Sequence, residues 1–201
     1  MKKSISIIAA MAIGFAALAG GEKTPINKEK TVVHWVGKKV TGQHSGFLNV
    51  ASGYIVVEND EFTGGSFKLD MSSLTVTDLK DAKMNGSLTG HLKSADFFSV
   101  EENPYADFII TSVSKLEKLG ENGENYSIKG DLTIKGIKNE ISFTSKVTVK
   151  GHDVTAQANF SIDRTKWNVK YGSGSFFDDL GDKMIYDDID LNIVLKANDK
   201  K

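Results

Sequence analysis

Apolar and polar residues alternate with period two through most of the C-terminal half of the chain. Tyr126, Ile128, Leu132 and Ile134 are interleaved with Ser127, Lys129, Asp131 and Thr133. Ile141, Phe143, Val147 and Val149 form a second such run, Val154, Ala156, Ala158, Phe160 and Ile162 a third, and Ile189, Leu191, Ile193 and Leu195 a fourth. This period places one face of each segment against a core and the other toward water, which is a half-buried β-strand. Gly136 with Asn139, and Gly151 with His152 and Asp153, supply turn residues between the runs. The N-terminal half adds strands near 31–41, 46–57, 62–71 and 105–117, with Phe67, Leu69 and Met71 alternating against Lys68 and Asp70. The pattern predicts an all-β domain of about eight strands, arranged as a sandwich or a closed barrel, because each strand has one face to bury.

Two stretches interrupt the pattern. Residues 74–103 contain a helical signal: Leu88, His91 and Leu92 are spaced i, i+3, i+4 and share one face. Thr77 or Asp78 is placed to cap its first turn. The segment runs on through Asp96-Phe97-Phe98 to Pro104, which forces Asn103 out of helical geometry and opens a new extended run. A short helix ending in a phenylalanine pair between strands reads either as a lid over one end of the β-structure or as plain core filling. Residues 164–188 form the second insert, dense in glycine, aromatics and aspartate. Long inserts in a small β-domain are more often functional than idle, and both are expected to close the same end.

The N-terminus adds a processing signal. Lys2-Lys3, an apolar run from Ile5 to Ala19 and Ala17-Leu18-Ala19 read as a secretory signal peptide, residues 1–19, cleaved before Gly20. Gly21 stands where a lipidated cysteine would be and the chain has no cysteine, so neither a lipid anchor nor a disulfide is expected. The expected product is periplasmic or secreted, with no stable membrane anchor. Loss of the two leader lysines takes the formal charge from −1 to −3. That balance, without a basic stripe carrying interleaved aromatics, argues against nucleic acid as a partner. Residues 20–30 and 198–201 are polar and charged and are expected to fray around a single domain, 31–197.

Candidate chemistry is sparse. Arg164 is the sole arginine among 25 basic side chains. A planar two-pronged donor suits a carboxylate or phosphate head group, or a structural partner such as Asp163 or an aspartate within 178–188. His34, His44, His91 and His152 have no metal-ligand spacing, and Asp178, Asp179, Asp182, Asp187 and Asp188 do not match a calcium loop. His91 reads as a packed histidine and His152 as a solvated turn residue. Ser45 beside His44 lacks the glycine-flanked elbow and oxyanion site of a serine nucleophile. No dinucleotide or nucleotide loop occurs. These absences point to a binding protein rather than an enzyme, and no cofactor is called for.

Four blocks carry a family resemblance. Leu92-Lys-Ser-Ala-Asp-Phe-Phe-Ser-Val100 followed by Pro104 resembles the Leu-Lys-Ser-x-Asp-Phe-Phe-Asp-Val-x-x-x-Pro signature of the YceI-like proteins, the lipocalin-like polyisoprenoid-binding family. Val33–Gly46, Gly130–Gly136 and Asp163–Gly172 resemble the same family and occur in its order. Ser99 departs from the family's aspartate. The resemblance implies an eight-stranded antiparallel lipocalin-like barrel with a short helical insert covering one end. It also implies an isoprenoid or other long-chain amphiphile as partner, and leaves room for a homodimer. The expected ligand-lining residues are Trp35, Phe47, Phe67, Leu92, Phe97, Phe98, Phe108, Trp167, Phe176 and Phe177, with Arg164 and His44 as the placed polar groups. The rival readings are a stress or structural barrel with a packed core and no ligand, and a hydrolase acting on an isoprenoid lipid.

Overall fold

In the computed structural model, residues 21–151 and 153–198 are described. The expected signal peptide with its cleavage site, His152 and residues 199–201 lie outside them. The strands are β1 (Glu22–Pro25), β2 (Val32–Lys39), β3 (Gly42–Glu58), β4 (Glu61–Asp70), β5 (Tyr105–Lys115), β6 (Tyr126–Ile134), β7 (Ile137–Lys150), β8 (Asp153–Asp163) and β9 (Ile185–Ala197), with one α-helix, α1 (Ala82–Lys93).

β2 to β9 close into an eight-stranded antiparallel barrel in the order β3-β2-β9-β8-β7-β6-β5-β4, and β3 pairs again with β4. Two long strands make the closure. Gly42–Leu48 of β3 pair with β2, and Asn49–Glu58 pair with β4. Ile137–Ser145 of β7 pair with β6, and Lys146–Lys150 pair with β8. Each long strand thus leaves one sheet and joins the other, so the two faces become one continuous wall, with the second edge of each half of β3 left free of barrel strands.

The alternation assigned from sequence sets the direction of the side chains. Tyr126, Ile128, Leu132 and Ile134 are all buried, while Lys129 is exposed. The interior is continuous: one cluster gathers Val50, Ile55, Phe62, Ile128, Val154 and Leu195, and a second Met71, Ala106, Leu132, Ile134, Ile162 and Trp167.

The N-terminal segment differs from the expectation. Glu22–Pro25, within the 20–30 segment expected to fray, is a ninth strand on the outer edge of β3, paired with Tyr54–Val57. Ile26 then bridges Ala197 and is buried. Gly53 makes this docking possible, because a Cβ there would stand 2.3 Å from Ile26 Cδ1. The hydrophilic composition of 20–30 hid a short strand that is held by the partner edge rather than by its own pattern.

The first insert leaves β4 through a 3-10 turn at Met71–Ser73 and runs along the free edge of β3. Thr75 N–H donates to Phe47 O at 3.1 Å, and Thr77 N–H to Ser45 O at 2.9 Å. The approach is so close that a Cβ on Gly46 would collide with Thr75 O. The helix cap is Asp81, which accepts from Met84 N, in place of the expected Thr77 or Asp78. Asp78 instead reaches back to the barrel, as described below. The helix ends at Ser94, and a turn through Ser99, in left-handed backbone (φ 47°), redirects the chain. Ser99 Oγ donates to Glu102 and Ser99 O accepts from Asn103 Nδ2, so this residue serves the turn.

Candidate functional site: an apolar cavity beneath a helical lid

The inward-facing positions of all eight barrel strands surround a cavity of about 240 Å³. Its side walls are aliphatic and aromatic, with Leu48, Leu69, Phe108, Phe143, Phe160 and Leu191 among them. At one end the wall reaches Gly37–Lys39, His44, Ile185 and Tyr186, and Leu88 and Leu92 of α1 with Phe97 and Phe98 lie over it. A shallow surface groove lined by His44, Leu79, Lys83, Met84, Leu88 and His91 adjoins this end, sharing His44 and Leu88 with the cavity. The lid is packed rather than loose: Leu74, Val76, Leu92, Phe97, Val169 and Trp35 form a buried cluster. His91 packs edge-on against Phe97 and Tyr171, with ring centroids 5.2 Å and 4.5 Å away.

Eight of the expected lining residues meet at this cavity: Trp35, His44, Phe67, Leu92, Phe97, Phe98, Phe108 and Arg164. Four do not. Phe47 is 40 % exposed, because Leu48 points inward and its neighbour must point out; its ring rests on His34 across the strand pair. Trp167 is 1 % exposed and sits in the wall beside the cavity, donating its indole N–H to Leu132 O at 3.0 Å. Phe176 and Phe177 are exposed on the second insert, Phe176 beneath Lys170 Nζ. Aromatic content alone misplaced these four. The alternation within β3, β7, β8 and β9 did contain the signal for the lining residues left out, such as Leu48, Phe143, Phe160 and Leu191.

Arg164 resolves toward its structural role. It is 2 % exposed, and every guanidinium nitrogen has a protein acceptor. Nε donates to Tyr186 O at 3.2 Å, Nη1 to Val169 O at 2.7 Å, and Nη2 to Ile185 O at 3.1 Å and Asp187 Oδ1 at 3.3 Å. Burial draws its pKa down, while Asp187 and Asp163 oppose that. The arginine therefore staples the second insert to β9.

His44 and Asp78 form a contact with no sequence signal. His44 Nδ1 stands 2.8 Å from Asp78 Oδ2, and Ser45 N–H donates to Asp78 Oδ1 at 2.8 Å. Desolvation raises the Asp78 pKa, but the hydrogen bonds from Ser45 and His44 outweigh it and hold the carboxyl below its usual range. Ser45 lends the pair its backbone N–H. The acidic residues of 178–188 do not converge: among the described residues no three His, Asp or Glu side chains are placed to hold a metal ion. No helix of the described residues is long and apolar enough to cross a membrane.

Comparison with known proteins agrees with this architecture. The model of the YceI-like domain matches residues 25–197. A UPF0312 protein of Pseudomonas putida (strain W619) is 30 % identical over 154 residues, covering 72 % of this chain and 74 % of that one. Other UPF0312 proteins match over a 63-residue stretch that spans 30 % of their length. Among solved structures, BcnA of Burkholderia cenocepacia superposes with a TM-score of 0.61 at 21 % identity, covering 86 % of this chain and 99 % of BcnA. A polyisoprenoid binding domain from Saccharophagus degradans gives 0.60 at 9 % identity, covering 87 % and 97 %. The chain belongs to the YceI-like family.

Proposed function

We propose that this protein binds a long-chain amphiphile of isoprenoid type inside the barrel and carries or stores it outside the cytoplasm. The observation that carries the reading is the lined interior: the apolar cavity is lined by Trp35 and Phe97 beneath the lid and by Ile55, Phe62 and Leu195 of the other core cluster. Each CH₂ moved out of water gains about 0.8 kcal/mol, so such a cavity solubilises a chain that water rejects. Ligand pockets combine mostly apolar walls with few polar groups, and this wall fits that description. The similarity in fold to the Saccharophagus degradans polyisoprenoid binding domain supports the ligand class. The basic and apolar leader supports export.

Catalysis has less support. A hydrolase needs a nucleophile hydrogen-bonded to an oriented base, and His44, oriented by Asp78, has no hydroxyl bonded to its other nitrogen among the described residues. The test of binding is a titration of delipidated protein with a polyprenol, followed by tryptophan fluorescence, since Trp35 lines the cavity. Saturable binding supports the reading. No binding to any chain length supports the packed structural barrel.

A further inference from the structure

The cavity wall contains a buried hydrogen-bond donor with no partner among the described residues. Trp35 lines the cavity and is 8 % exposed, and its indole Nε1 has no acceptor among the described residues. Buried polar groups in native proteins are almost always paired, so an orphaned donor needs an explanation. Its surroundings offer none. The ring lies against Gly37 and Gly46, within the cluster of Leu74, Val76, Leu92, Phe97 and Val169.

The other buried polar groups of the wall are committed. Ser145 Oγ donates to Gln157 O, and Arg164 is held by Tyr186, Val169, Ile185 and Asp187. The second tryptophan, Trp167, is also buried, and its indole is bonded to Leu132 O. The contrast between the two indoles isolates Trp35 as the donor left for something that is not protein.

We propose that Trp35 Nε1 is the head-group donor of the cavity, hydrogen-bonding an uncharged oxygen of the bound lipid beneath the α1 lid. This rests on the lipid-binding reading above and adds the chemistry and orientation of the ligand. The head is a hydroxyl, ether or carbonyl oxygen, because the acceptor must match an N–H and Arg164, the one buried cation among the described residues, is already paired. The chain then extends from Trp35 toward Ile55, Phe62 and Leu195.

The test uses the full mature chain with ¹⁵N-labelled indoles, which give two side-chain signals because there are two tryptophans. The probes are squalene, which has no acceptor, a polyprenyl methyl ether of similar length, which only accepts, and the corresponding polyprenyl phosphate. The ether shifts the Trp35 indole proton downfield, squalene does not, and the Trp167 signal stays put. In W35F the ether loses about tenfold more affinity than squalene does, as expected for loss of one hydrogen bond beyond the apolar contact that both ligands share. The phosphate binds no tighter than the ether. Equal indole shifts with squalene and ether, or equal weakening of both in W35F, overturn the donor role. Phosphate binding tenfold tighter than the ether overturns the uncharged head. If W35F fails to fold, the wild-type indole shifts decide. If the wild type binds none of the probes, the lipid-binding reading itself falls, and this inference falls with it.

Discussion

The Asp78 carboxylate sits 2.8 Å from His44 Nδ1 and ties the insert that carries the lid to the β2–β3 hairpin at the cavity's end. The same carboxylate takes the Ser45 N–H, so one side chain holds two groups of the rim. Because the folded-state pKa of Asp78 is depressed, its contribution to stability is present above the unfolded value of about 3.9 and is lost as pH falls through the lower folded value. D78N should therefore lower stability by about 1 kcal/mol at neutral pH, the contact being partly exposed. The gap between wild type and D78N should close below about pH 4. Denaturant melts of both proteins across pH 2–7 check this; a gap independent of pH contradicts the assignment.

Leu132 and Lys129 lie on opposite faces of β6, Leu132 toward the cavity and Lys129 toward water. L132D buries a carboxylate without a partner and should unfold the domain, since several kcal/mol is comparable with a total stability of roughly 5–15 kcal/mol. K129D should change stability by less than about 0.5 kcal/mol. Thermal melts of the pair distinguish them, and similar losses would place the face assignment in error.

Phe97 and Phe98 are adjacent but unequally placed. Phe97 is buried between His91, Tyr171 and the Arg164 guanidinium, while Phe98 is half-buried where two core clusters meet. F97A should cost about 3–5 kcal/mol as loss of a core aromatic. F98A should cost less and act mainly on polyprenol affinity by opening the lidded end. Melting temperature and binding measured together on both variants check the split.

Arg164→Lys tests the staple. Lysine cannot reach Tyr186 O, Val169 O and Ile185 O at once, so buried carbonyls lose their donors. The expected loss is about 3 kcal/mol or more, with the relative affinity for charged and uncharged lipid heads unchanged. A selective loss of phosphate binding with an unchanged melting temperature would return Arg164 to the head group.

The barrel was legible in the sequence where one face of a strand is wet. Tyr126–Ile134 and Val154–Ile162 alternate because one face of each packs inward while the other carries the polar side chains that meet water and neighbouring strands. What could not be read depends on approach between distant segments. Glu22–Pro25 becomes a strand only because β3 offers an edge beyond the end of β2. Asp78 looked like a helix cap because caps are local, and its true partners lie 33 and 34 residues away. Aromatic character places Trp167, Phe47, Phe176 and Phe177 with the lining, but it reports burial tendency and not which side of a wall a ring occupies. The orphaned Trp35 donor is invisible in sequence, since it is defined by what its neighbours lack.

Native mass spectrometry of the purified protein, followed by solvent extraction, tests the central claim most directly. The account predicts a bound species in one-to-one ratio that extracts as a long apolar chain with an uncharged oxygen head. Protein that carries no lipid and takes up none of an added series of polyprenols would contradict it.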